Sequence, residues 1–403
     1  MQRLKLKVSE AMLTMLVILV AIIAAAVETD VFVPAFPSML DYFSTTEAKI
    51  KMILSINFLG LCLASLVVGP LSDSFGRRKV LLWGLSLFAL AGIACTYTTS
   101  IEVLLFWRFI QGMGCSVAFV VPGAIIFDLY TKEEAAQILG WYNSIITLAM
   151  SCAPLIGTYL QLVYGWQANF VLVAILASFA WLLVARFVKE SLPKDRQTPW
   201  HFPSILKGYG QLLTSFPAMA NNGIICFVFA GYMIYIANLS LLFITYFGME
   251  EKIYALYQGA VLLVFAMVSI FCGRIINYIG TNRTRFWGNI LSFIGAILLL
   301  LVALIAPKSP LLITLAMSIF TAGFAVMLGI VFGDYMEIYP KIKGIASALG
   351  NALRLFFMAG GIALSNTIFN GSTISIAILV FGCSMVAMVF LLLLQAKSKK
   401  AEM

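Results

Sequence analysis

Twelve long apolar runs constrain this chain more than any other feature of it. They lie near residues 11–34, 52–71, 80–98, 103–128, 138–162, 169–187, 218–246, 254–276, 286–306, 311–333, 344–367 and 374–394. An α-helix rises about 1.5 Å per residue, so about 20 mainly apolar residues cross the roughly 30 Å of a bilayer's hydrocarbon. The runs are continuous rather than alternating, which excludes a closed β-barrel. With 62% of residues hydrophobic and only 11% charged, a soluble fold would have too little polar surface to cover itself. The expected fold is an all-α membrane protein of twelve transmembrane helices. Several connections are only a few residues long, which makes neighbouring helices antiparallel. No small-residue cleavage site follows the first run, which continues into Glu28, Thr29, Asp30 and Pro34. That run reads as a retained helix rather than a signal peptide.

The distribution of lysine and arginine sets the expected sidedness. With the N-terminus in the cytoplasm, that side receives Arg3, Lys5, Lys7, Arg77, Arg78, Lys79, Lys132, Arg186, Lys189, Lys194, Arg196, Lys207, Arg274, Arg283, Arg285, Lys341, Lys343, Lys397, Lys399 and Lys400. The opposite side receives only Lys49, Lys51, Lys252 and Lys308, while Arg108 and Arg354 fall inside apolar runs. Both termini are therefore expected in the cytoplasm. The net charge of +9 is a topology signal, and no nucleic-acid partner is implied.

Several function classes are disfavoured. Cys62, Cys95, Cys115, Cys152, Cys226, Cys272 and Cys383 are scattered singly through apolar runs without paired spacing, so neither a disulfide framework nor a thiolate metal site is expected. His201 is the one histidine, which argues against an imidazole relay. No Walker loop is present, so ATP hydrolysis is not expected. No nucleophile–base pair suggests an enzyme, and no cofactor is implied.

The longest polar segment, residues 189–217, carries Pro193, Pro199 and Pro203 and separates six runs on each side. The expected division is an N-terminal six-helix bundle at 1–188, a cytoplasmic linker at 189–217, and a C-terminal bundle at 218–403. Shifting one half onto the other by 204 residues places Gly69 on Gly273, Asp73 on Asn277, Phe75 on Ile279, Gly76 on Gly280, Lys79 on Arg283 and Gly140 on Gly344. Parallel repeats of this kind suggest two bundles rocking about a site near the midplane.

The turn Gly69-Pro70-Leu71-Ser72-Asp73-Ser74-Phe75-Gly76-Arg77-Arg78-Lys79 combines glycines that permit a sharp turn with an acid among cations. It resembles the signature between helices two and three of the major facilitator superfamily, with Ser74 where an arginine is usual. That resemblance covers essentially the whole chain. Thr29-Asp30-Val31-Phe32-Val33-Pro34-Ala35-Phe36-Pro37 is similar to the first-helix stretch of the 12-helix drug:proton antiporters, bicyclomycin and chloramphenicol resistance branch. Arg108-Phe109-Ile110-Gln111-Gly112-Met113-Gly114 matches that family's fourth-helix motif, and Gly344 to Leu349 its eleventh-helix opening. Ala153-Pro154-Leu155-Ile156-Gly157 is similar to the fifth-helix antiport motif, departing from it at Ala153 and Thr158.

The resemblance implies a proton-coupled exporter, with Asp30 at the family-matched position for the proton carrier. Carboxyl groups inside a membrane suit that task, because loss of hydration favours the neutral form. Glu28 is a second carboxyl, two residues and about 200° away around the helix, read as assisting or alternating with Asp30 in proton coupling or as serving cation recognition, while the bland reading has both marking the end of helix one. Arg108 is expected to pair with a first-helix carboxylate, Gly69, Asp73, Gly76, Arg77 and Arg78 to form a conformational lock, and Pro154 and Gly157 to carry the antiport motif. Arg354 stands about 15 Å into the eleventh helix with Asn351 one turn away. It is read either as an anchor for an anionic substrate group or as half of an ion pair with Asp334 or Asp128. Asp128 itself is read as an end-of-helix contact to the turn. Tyr232, Tyr235 and Asn238 form a polar stripe suited to a substrate cavity or to helix packing.

The leading expectation is a functional monomer in a bacterial inner membrane that exchanges protons for small amphipathic compounds. The competing readings are export of a specific anionic metabolite, such as a siderophore, and a non-transporting receptor.

Overall fold

The computed structural model describes residues 8–130, 132–194, 197, 202–339 and 343–402. Arg3, Lys5, Lys7, Arg196, Pro199, His201 and Lys341 lie outside the described residues. In the first half the helices are α1 (Val8–Asp30), α2 (Phe36–Phe43), α3 (Glu47–Phe75), α4 (Arg77–Thr96), α5 (Ile101–Leu129), α6 (Lys132–Tyr164) and α7 (Gln167–Phe187). They continue with α8 (Phe202–Thr214), α9 (Phe216–Ser240), α10 (Glu251–Ile279), α11 (Thr281–Ile305), α12 (Pro310–Glu337), α13 (Lys343–Ile368) and α14 (Thr373–Glu402). Among the described residues there are no strands. Among the described residues eleven helices are long and apolar enough to cross a membrane, and α6 adds a shorter apolar stretch, Leu148–Tyr164. Hydrocarbon offers no partner to a backbone amide, so each spanning segment satisfies its own hydrogen bonds as a helix.

Three local features differ from the sequence reading. The helix expected from residue 52 begins at Glu47, which draws Lys49 and Lys51 out of the expected loop. The linker contains the helix α8, Phe202–Thr214. The seventh spanning helix finishes in a π-helical stretch, Leu241–Tyr246, whereas Asp30 closes α1 and a 3-10 turn at Val33–Ala35 leads into α2.

The chain forms two compact units, Met1–Phe32 with Ile56–Phe202, and Val33–Ser55 with Pro203–Met403. Residues 33–55, expected in the N-terminal bundle, group with the second unit. Within the first unit α4 packs on α5 and α7, while α1 packs on α5, α6 and α7. Within the second, α9 packs on α12, α13 and α14, and α11 packs on α12 and α14.

The charged turn is tighter than expected. Helix α3 runs on through Ser72 and Asp73 to Phe75, and α4 starts at Arg77, leaving only Gly76 between them. Gly76 has φ 97°, a region where a Cβ is strained. Its position is further restricted because a Cβ would stand 2.5 Å from Glu190 Oε2. That carboxylate accepts from the backbone N–H of Arg77 at 2.8 Å and of Arg78 at 3.2 Å. It thus supplies acceptors and negative charge at the N-terminus of α4.

The Arg77 side chain pairs with Asp73, reaches Asp128 Oδ2 at 3.2 Å and donates to Ser72 Oγ at 2.6 Å. Ser191 donates to the same Asp128 oxygen at 2.9 Å, and Arg78 donates to the Ala185 carbonyl at 2.7 Å. One guanidinium therefore ties the end of α3 to the end of α5.

The second unit repeats this device. Gly280, between α10 and α11, has φ 85°, and Arg285 near the start of α11 pairs with Asp334 near the end of α12 at 2.6 Å. The weak sequence repeat thus has a counterpart in both backbone and charge. Gly76→Ala is expected to destabilise the protein by about 1–3 kcal/mol through φ strain and displacement of Glu190. A lowered melting temperature of the purified protein would register this, and Gly273→Ala, where a Cβ meets nothing within 4 Å, is expected to melt close to the parent.

Candidate functional site

The interior of the first unit holds a charged cluster in an otherwise apolar surround. Arg108 on α5 is fully buried, and its Nη1 pairs with Glu28 Oε1 of α1. The same nitrogen donates to Gln111 Oε1 at 2.7 Å, one turn along α5. The guanidinium lies 4.3 Å from the ring centre of Phe32 and 5.7 Å from that of Phe170, and these two rings stack on each other. Asn57 of α3 donates to Glu28 Oε1 at 3.1 Å and to the Arg108 carbonyl at 3.2 Å. Three helices therefore converge on one ion pair.

Moving two opposite charges out of water costs several kcal/mol each, and their attraction offsets this only when further hydrogen bonds are made. Gln111, Asn57 and the aromatic faces supply those contacts.

Asp30 sits at the end of α1 and is 1% exposed. Neither of its carboxyl oxygens has a hydrogen-bond partner among the described residues. Arg108 takes Glu28 rather than Asp30, so the two carboxyls have opposite surroundings, one with its charge compensated and one without. Beside them, α6 approaches α1 closely. A Cβ on Gly157 would fall 1.7 Å from the Val31 carbonyl oxygen, a contact that only glycine permits. Pro154 is buried in the same helix, three residues earlier.

In the second unit, Arg354 of α13 is half-buried, donates to Asn351 Oδ1 and lies 4.8 Å over the Phe229 ring of α9. The two carboxylates proposed from sequence as ion-pair partners are engaged elsewhere, Asp334 with Arg285 and Asp128 with Arg77. Among the described residues Arg354 makes no salt bridge. Tyr232, Tyr235 and Asn238 are all buried within α9. Asn238 donates to Ser365 Oγ at 3.1 Å and accepts from Lys51 Nζ at 2.9 Å, so this end of the stripe belongs to a packed polar contact.

Sequence reasoning placed Lys51 in a loop. It is 1% exposed, with its ammonium 4.4 Å from the Phe369 ring centre. Counting the apolar run from residue 52 hid it, although its spacing from Ile50 and Ile53 is compatible with one more helical turn. Asn57 and Glu190 were also missed. A lone amide inside an apolar run and the first acid after the sixth run were the available signals, but neither indicates its partner.

A family model described as Major Facilitator Superfamily matches residues 18–362. The bicyclomycin resistance protein homolog of Haemophilus influenzae is 24% identical over 336 residues, 83% of each chain. The chloramphenicol resistance protein CraA of Acinetobacter baumannii is 26% identical over 280 residues, 69% of this chain and 67% of that protein. The xylose transporter XylE from E. coli shares the fold, with a TM-score of 0.74 at 15% identity, covering 95% of this chain and 97% of that one.

Removing one member of the buried pair leaves the other uncompensated. Glu28→Leu is expected to destabilise the protein by about 3–5 kcal/mol, and Glu28→Leu/Arg108→Leu to regain a large part of that loss. Thermal melts of the single and double variants in one detergent would measure the coupling.

Proposed function

The chain belongs to the major facilitator superfamily, in its drug-efflux branch, and on that premise we propose that it exports small amphipathic compounds in exchange for protons. It is a multi-pass membrane transporter and not an enzyme. The finer reading places it in a bacterial inner membrane as a functional monomer, with both termini in the cytoplasm.

The observation that carries proton exchange is the contrast between Asp30 and Glu28. Glu28 has Arg108 and Asn57 to offset its charge, whereas Asp30 is buried with both oxygens unpartnered among the described residues. Binding a proton at Asp30 removes a buried charge that no hydrogen bond from the described residues offsets. Releasing it restores a charge next to an existing ion pair, which favours rearrangement of that pair. Asp30 thus carries the exchanging proton, Arg108 and Glu28 respond to it, and Gly157 keeps α6 against the segment where this happens. The turn at Asp73, Arg77 and Arg78 holds one of the alternating states. Outward rather than inward transport rests on the resistance functions named for the two relatives.

The test uses proteoliposomes loaded with a pH-sensitive dye and an imposed proton gradient, with chloramphenicol as the first compound of a drug panel. The unaltered protein is expected to show compound-evoked proton movement. Asp30→Asn, which keeps the side chain's shape, is expected to reduce it at least about tenfold while preserving the melting temperature. Undiminished exchange in that variant would remove Asp30 from the mechanism.

A further inference from the structure

We infer that Arg354, Asn351 and Asn222 form a recognition site for an organic anion within the second unit, taking a carboxylate attached to a flat apolar body. This rests on the transporter reading above and adds the chemical class of its cargo.

Arg354 is a permanent cation in the interior of a membrane-spanning helix, where charge is costly unless it is matched. Among the described residues no carboxylate matches it, because Asp334 is held by Arg285 and Asp128 by Arg77. Nor does it turn to the apolar outer side of α13. The exposed side chain of Phe356 stands two residues on and so about 200° around the helix. The guanidinium instead lies over Phe229 of α9, and Phe229 packs edge-on against Phe324 of α12, 4.5 Å between centres.

Arg354 brings donors only, and asparagine amides stand beside it. Asn351 uses its amide oxygen to accept from Arg354, which leaves its NH2 to donate. One turn before Arg354 on the same face of α13 is Gly350, and a Cβ there would come 3.3 Å from Asn222 Oδ1 on α9. Asn222 is 2% exposed, and its Nδ2 has no hydrogen-bond partner among the described residues. A planar guanidinium with two asparagine amides near it, and no acidic partner among the described residues, suits the oxygens of a carboxylate, which a guanidinium binds in a bidentate fork. A buried donor left unsatisfied is itself unfavourable, so a bound anion completes what the protein leaves open. Phe227 and Phe357, 4.9 Å apart between the same two helices, offer apolar surface for the body of the ligand.

The probes are 2-naphthoate and its neutral amide, 2-naphthamide, titrated onto the full-length protein in nanodiscs with empty nanodiscs as the blank. The carboxylate is expected to bind at least about tenfold more tightly, as a charge-assisted pair requires. Arg354→Gln should abolish that preference. Asn351→Asp, which supplies an internal carboxylate to Arg354, should abolish it too while retaining the parent's melting temperature. Asp30→Asn should leave the preference intact even though it sharply reduces proton exchange, so failure of the proton mechanism and failure of this site are separable. Equal binding of the two probes to the unaltered protein, no carboxylate binding at millimolar concentration, or an undiminished preference in Asn351→Asp would overturn the assignment.

Discussion

A hydrocarbon interior gives a protein no water with which to satisfy a polar group, and that constraint organises this molecule. For the backbone the answer is the helix, which closes its own hydrogen bonds within each span. For side chains the answer is a partner. Arg108 has Glu28 and Gln111, Lys51 has Asn238, and Arg77 has Asp73 and Asp128. Asp30 and the donor group around Arg354 depart from that pattern, and for that reason they carry the functional proposals.

The two units solve one structural problem in the same way. In each, a glycine in the left-handed half of φ space separates two long helices, and an arginine soon after it pairs with an aspartate near the end of a neighbouring helix. The arginines do not align under the 204-residue shift that aligns the glycines, since Arg77 follows Gly76 directly while Arg285 stands a turn into α11. A long, flexible side chain tolerates that slippage, because the same pair of helices can be tied from either position. The glycine has no such latitude, as its backbone conformation is the requirement.

Much of the fold is legible in the sequence. Helix number and approximate limits follow from the length of apolar runs, and the loop signature with its Asp73, Gly76, Arg77 and Arg78 identified the family that residues 18–362 match. Arg108 was recognisable as a residue needing a carboxylate on the first helix. Which carboxylate was not, because Glu28 and Asp30 differ only by rotation around α1, and small changes in helix packing decide which one meets α5. Lys51 and Glu190 escaped for a related reason. Their roles depend on Asn238 and on the N-terminus of α4, which lie far from them in the chain.

The sequence by itself determined that this chain spans a membrane many times, that it belongs to a transporter family, and where its tightest turn falls. These are properties of local composition and spacing, set by the cost of exposing polar groups to lipid and of bending a backbone that carries a Cβ. Tertiary structure alone decided that Arg108 takes Glu28 and leaves Asp30 without a partner among the described residues. It also decided that Asp334 and Asp128 are already committed, which leaves Arg354 without a carboxylate among the described residues. Charge pairing acts over a few ångströms, so these choices depend on how the helices pack, a relation that residue spacing does not record.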